Sequence, residues 1–188
     1  MASSHINSLA ELRERYGTPT RSSVKKQANE LNDTYRQWLG YAGFFVLASA
    51  GEDGVDCTPR GDKAGEAFTI VDNKTLLIPD RRGNNRLDTL SNIISNPHVA
   101  LLFFIPGIDQ TLRVVGRAVI SVDPTVLNQF VLNNQAPLSC IVVTIDAVYF
   151  QNSRALARSG LWTSEHLDHT EVPSPEQMLD SIEPLNNP

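Results

Sequence analysis

Thr75-Leu76-Leu77-Ile78-Pro79-Asp80-Arg81-Arg82-Gly83-Asn84-Asn85-Arg86 reads as a short apolar strand running into a basic loop. The next residues, Arg86 to Ser95, place Leu87, Leu90, Ile93 and Ile94 on one helical face, and Asn96-Pro97 ends that helix. Val99 to Ile105 is then a continuous apolar run of strand length, closed by Pro106-Gly107. The pattern is strand, cationic loop, short helix, strand.

On both sides the chain continues in strands. Phe44 to Ala50 ends at the turn Gly51-Glu52-Asp53-Gly54, and Val55 to Pro59 is its expected hairpin partner. Ala67 to Val71 and Thr75 to Ile78 flank the tight-turn signal Asp72-Asn73-Lys74. Leu112 to Val122 alternates around Gly116, and Ile141 to Phe150 is β-branched and aromatic-rich. A helix is expected over Pro124 to Asn134, with Asp123 as its N-cap. Before the strands, residues 5 to 41 read as helical. Ile6, Leu9, Ala10 and Leu12 share one face. A second helix, capped by Ser22 or Ser23, would carry Val24, Ala28, Leu31, Tyr35, Trp38 and Leu39. Many short strands with occasional helices predict a mainly β, α+β fold: an antiparallel barrel with N-terminal helices and short peripheral helices. The expected divisions are a helical segment 1–42, a barrel domain 43–162 and a tail 163–188. Val172 to Pro188 holds four prolines and is expected to be extended or disordered.

Composition narrows the function. The chain has 188 residues, 41% hydrophobic and 20% charged, which is ordinary for a soluble domain. Its net charge of −5 is uneven. Six acids and no Lys or Arg lie between Thr163 and Pro188, so the rest carries a formal +1. Neither part has the basic balance of a nucleic-acid binder. Two cysteines exclude a disulfide scaffold and a four-cysteine zinc site. No apolar run reaches the roughly 18 residues of a membrane span. Met1 to Leu12 lacks the basic start and apolar stretch of a secretory signal, so a cytoplasmic protein is expected.

The residues at 79–86 combine arginines, a glycine, two asparagines and a helix N-terminus, which together suit a phosphate. The plainer reading is a solvated charged loop. Thr58-Pro59-Arg60-Gly61-Asp62-Lys63 could supply a second arm to the same anion or be a hairpin turn. If alternation holds, Thr111, Arg113, Val115 and Arg117 share a cationic sheet face. His166 and His169 sit three apart in an acidic stretch, and no metal site is expected there or at His98. Cys57 and Cys140 lack a neighbouring base and read as small strand residues. Trp162 follows the basic stretch Arg154 to Arg158 and reads equally as core, as an aromatic-ligand cover, or as a subunit contact.

In this order, the Thr75–Asp80 strand, Arg82-Gly83-Asn84-Asn85-Arg86, the helix, Asn96-Pro97, Val99–Phe104, Leu112–Ala118 and Leu161-Trp162 resemble the pyridoxamine 5′-phosphate oxidase-like FMN-binding split-barrel family. The resemblance runs from about Gly43 to Trp162, and Thr58–Asp62 is similar to a subgroup of uncharacterised flavoproteins. It implies a homodimer with FMN at the subunit interface. It further implies that Ile78 and Pro79 lie along the flavin ring with Asp80 beside them. Asn84 and Asn85 stand where the oxidases carry an Arg-Lys phosphate pair. Arg60 falls near a basic cofactor position and Thr111 near a ring contact, while Trp162 would come from the other subunit. Because Asn84-Asn85 cannot supply charge, the phosphate falls to Arg82, Arg86 or Arg60. Arg113 or Arg158 would face the flavin where it gains charge on reduction. The acidic tail replaces a basic substrate segment, which argues against pyridoxine phosphate chemistry. The expected function is an FMN-dependent oxidoreductase of a small molecule. A flavin carrier or sensor, or a haem-binding barrel, is the alternative, and deazaflavin F420 could replace FMN.

Overall fold

The computed structural model describes residues 5–18, 26–52, 54–152, 154–163 and 172–182. Residues 1–153 form one unit and 154–188 another. In the first, seven strands build one antiparallel sheet: β1 (Phe44–Gly51), β2 (Gly54–Gly61), β3 (Thr69–Ile70), β4 (Thr75–Asp80), β5 (His98–Phe104), β6 (Gln110–Ser121) and β7 (Ser139–Asn152). Their order across the sheet is β2-β1-β5-β6-β7-β4-β3. Helices α1 (Leu9–Tyr16), α2 (Asp33–Leu39), α3 (Asp88–Ser95) and α4 (Pro124–Leu127) decorate it.

The sheet curls on itself. β2 lies at one edge and β4 one strand from the other, yet Arg60 of β2 meets Asp80 of β4 at 2.9 Å. Strands at opposite wings can touch only if the sheet rolls into a barrel, with its split between these two. Inside, Phe45, Phe68 and Phe103 pack ring against ring, with centroids 4.9 to 5.9 Å apart. Leu47, Leu101, Leu112, Val114, Ile141 and Val143 continue that core.

The apolar run in β5 resolves into two faces. Val99, Leu101 and Phe103 are buried, while Ala100, Leu102 and Phe104 point outward and are half-buried. In β6 and β7 the register slips at Val115/Gly116, leaving Asp146 as the extra residue of a bulge. A side chain at Gly116 would run into the Thr144 carbonyl, so the close strand approach there requires glycine.

Four expectations need correction. The second helix is only Asp33–Leu39, because the Asn32 side chain accepts the Tyr35 N–H at 2.8 Å and starts the helix there. Ala28 instead pairs with Val148 as an isolated bridge, and Leu31 is buried in the core. Ser22, Ser23 and Val24 lie outside the described residues. The helix after the basic loop starts at Asp88, since Leu87 adopts a left-handed φ of 62°. Leu87 and Ile94 are exposed, so the apolar face reduces to Ile93 and the half-buried Leu90. Asp123 does cap α4, accepting the Thr125 N–H at 2.8 Å, but helix gives way to a 3-10 turn at Asn128–Phe130. Val131 then turns extended, with ψ 124°, and ends the helical run before Asn134.

The second unit holds α5 (Arg154–Ser159) and α6 (Pro175–Asp180). The tail expectation is corrected at α6. There Ser174 and Gln177 form a reciprocal capping box and Pro175 occupies the first turn, so proline starts a helix rather than preventing one.

Candidate functional site

The basic loop, β2 and the start of α3 enclose a cavity of about 300 Å³. Arg60, Asp80, Arg82, Asn84, Asn85 and Arg86 all line it. Each is held differently. Arg60 reaches in from β2 and donates to Asp80 Oδ1 at 2.9 Å, while its buried Nε has no partner. Arg81 turns away, donating to the Phe130 carbonyl at 3.0 Å and lying 3.7 Å from Asp62. The atom nearest Asp62 is its buried Nε, which makes no hydrogen bond. Arg86 is tied to Asp88 at 2.9 Å. Arg82 has no hydrogen bond or ion pair with any described residue.

The loop backbone is bent to fit. The Asn84 side chain accepts the Arg86 N–H at 3.1 Å, and Asn85 and Leu87 both take left-handed φ near 60°. Strained non-glycine residues in a loop gather where the surroundings force them. Leu87 stands at the α3 N-cap position and offers no side-chain cap. The first N–H groups of α3 therefore lack a side-chain cap, and Asp88, Thr89 and Leu90 of that first turn line the cavity. The four arginines and two aspartates of the lining leave a formal +2. A phosphate monoester carries about −1.5 to −2 at neutral pH, so the charges complement each other.

A smaller cavity of about 170 Å³ adjoins the first through shared Pro59, Arg60 and Arg81. Ile78 and Pro79 line this one, with Ala67, Asp62 and Glu66. Thr111 and Arg113 belong elsewhere. Asp80 pairs with Ser139 at the start of β7, whereas Arg113 and Thr111 face Tyr149 and Gln151 at its far end. Along β7, Tyr149 and Gln151 lie ten and twelve residues beyond Ser139, roughly 33 to 40 Å along the strand. Thr111 is buried, and Arg113 donates to the Tyr149 hydroxyl at 3.1 Å. Trp162 and Arg158 lie in the second unit.

The sequence reading missed Asp56 and Thr89, while Thr58 and Arg60 stood within its Thr58–Lys63 stretch. Asp56, Thr58 and Arg60 form an inward row on β2, alternating with exposed Val55, Cys57 and Pro59. That period-two polar row was visible as D-x-T-x-R. Thr89, buried in the first turn of α3, gave no signal. Thr58 and Thr89 both donate to Asp56 Oδ2, at 2.7 and 2.9 Å. The Thr58 hydroxyl most of all, then Thr89, the Cys57 N–H and Arg60, hold the Asp56 carboxyl below its ordinary range, against the opposing effect of burial.

The family model of pyridoxamine 5′-phosphate oxidase matches residues 31–152, which include every strand and the whole cavity. The chain belongs to the pyridoxamine 5′-phosphate oxidase family. Solved structures agree with this at the level of fold. HupZ of Group A Streptococcus matches with a TM-score of 0.53 at 14% identity, over 65% of this chain and 96% of that one. A candidate pyridoxamine 5′-phosphate oxidase of Lactobacillus delbrueckii matches with a TM-score of 0.51 at 18% identity, over 65% and 95%. Another from Listeria innocua gives 0.50 at 19%, over 64% and 98%. Comparison with curated proteins finds no match.

The family match covers the barrel, and the residues lining the cavity are read from this chain's own structure. Asn84 and Asn85 place two amides in the lining, and Arg60, Arg82 and Arg86 place cations around them. His98 is exposed and its Nδ1 sits 2.8 Å from Asn96, away from the cavity lining. His166 and His169 lie outside the described residues. Among the described residues no cluster of His, Cys, Asp and Glu is arranged to hold a metal. None of the described helices is long and apolar enough to cross a membrane.

Proposed function

We propose that the chain binds FMN, with its phosphate in the cavity between β2, the basic loop and α3, and serves as an FMN-dependent oxidoreductase of a small molecule. The observation that carries this is Arg82. It is the one arginine of the lining with no partner among the described residues, beside an uncapped helix N-terminus in a cavity of formal charge +2. A guanidinium with five free donors suits a phosphate's paired oxygens. The buried Nε of Arg60, which has no hydrogen-bond partner, is a further donor to the same cavity.

The residues fit the phosphate end of FMN. In this reading the flavin ring extends over Ile78 and Pro79 in the adjoining cavity. When bound, FMN would supply hydride or single-electron transfer. The chain's own residues neutralise the phosphate, orient the ring and exclude water from one side of it. Arg113 and Trp162 would serve a ring only from a second copy, which makes the homodimer part of the proposal, while Thr111 is buried in its own barrel and has no part in it. The apolar outer face of β1 and β5 suits that contact. Phe44, Val46, Ala48, Leu102 and Phe104 lie there side by side, with the Phe44 and Phe104 rings 5.8 Å apart.

The test is FMN affinity of the purified chain. Arg82→Ala is expected to weaken FMN binding about 10- to 100-fold, the loss of one charge-assisted pair. Arg15→Ala on α1 should leave it unchanged. Equal affinity in both variants would remove the phosphate assignment.

A further inference from the structure

The cavity has walls of opposite hydrogen-bonding character. The arginines and the α3 N-terminus can only donate. The wall made by Thr58 and Thr89 does the reverse. A threonine hydroxyl has one proton, and both protons are given to Asp56 Oδ2. The two hydroxyl oxygens are also within hydrogen-bond distance of each other, at 3.3 Å, and whichever donates, both protons stay within the group of Asp56, Thr58 and Thr89. With their protons committed, what each can offer to a guest is a lone pair. Both residues line the cavity, while Asp56 stands behind them as the next inward residue of β2. From Asp56 to Arg60 the row runs about 13 Å, from anion through hydroxyl to cation.

We infer that Asp56 is a positioning residue that turns Thr58 and Thr89 into acceptors, so that the cavity selects a phosphate monoester carrying hydroxyl donors, a phosphorylated polyol, over phosphate alone. This rests on the FMN site proposed above and adds the residues that meet the polyol next to the phosphate and the carboxylate that orients them. In FMN the matching group is the ribityl chain.

The inference is tested by calorimetric titration of the full chain with two probes, FMN and inorganic phosphate. Thr58→Val keeps a β-branched side chain on the strand and removes one acceptor. It should weaken FMN about 10-fold, the value of one buried hydrogen bond, and leave inorganic phosphate within twofold. Asp56→Ala frees both hydroxyl protons and deletes a negative charge, which by electrostatics alone strengthens the binding of any anion. FMN should weaken here too, while inorganic phosphate binds as well or better. Weaker FMN with inorganic phosphate held or strengthened is the signature. If both variants keep wild-type FMN affinity, or if both probes weaken together, the inference is overturned. In that event loss of both probes in Arg82→Ala would still uphold the phosphate site. Failure of the wild-type chain to bind either probe would remove the phosphate site and this inference with it.

Discussion

Arg82 and Arg86 are four residues apart in the sequence and read alike there, as cations in a basic loop. The structure separates them. Arg86 is neutralised by Asp88, while Arg82 faces the cavity without a partner. The two cysteines diverge in the same way. Cys57 is exposed on β2. Cys140 is buried at the start of β7, and burial pushes its thiol up to about 11. The thiolate is the reactive form, so Cys140 is inert at neutral pH. In the native protein a thiol reagent should modify one cysteine, and Cys57→Ser should abolish that reaction. Rapid labelling of Cys140 before unfolding would contradict the packing around β4 and β7. The sequence placed both residues in strands, and burial was beyond it because strand faces depend on register.

At the scale of elements, the seat of α3 matters most, because this helix opens onto the cavity. It packs across β1 through Asn92, which donates to the buried Ser49 hydroxyl at 3.1 Å. Gly51 allows this approach, since a Cβ there would collide with the Asn92 side chain. Gly51→Ala is therefore expected to cost about 1–3 kcal/mol by overpacking, read as a lower denaturant midpoint. Asn92→Ala in the same background should recover part of it. The hairpin β1–β2, the turn before β4 and the strands β5 to β7 were legible because their turn residues and alternation are local signals. α2 was overextended because Ala28 and Leu31 are apolar at helical spacing but are claimed by contacts distant in sequence, with Val148 and the core. In the tail, proline content outweighed a capping box that was also present in the sequence. The loop 81–87 was legible as a charged strand-to-helix connection. Which arginine it leaves unpaired depends on Asp62, Asp80 and Asp88, and so on the folded geometry.

For the whole molecule, the proposed pairing of two barrels depends on the outer face of β1 and β5. Leu102 sits opposite Val46 on one side and Arg113 on the other, half-buried on that face. Leu102→Asp would place a charge in the middle of an apolar contact without touching the core. The variant should elute as a monomer in size-exclusion chromatography with light scattering and lose FMN retention, while its circular dichroism stays unchanged. A dimer with full FMN retention would show that this face is not the one used.

The inward row of β2 also bears on how the protein behaves in a crowded solution. β2 ends the sheet, and an end strand offers unpaired backbone groups to any passing chain. Here Pro59 removes one donor, and Asp56 and Arg60 place charge on the inner side of the strand. Residues that shape a cavity thus double as guards against strand-by-strand self-association. Replacing Asp56 and Arg60 together with valine should bring turbidity on mild heating well before the wild type scatters light. In this chain, ligand recognition and colloidal solubility would be inherited through the same side chains.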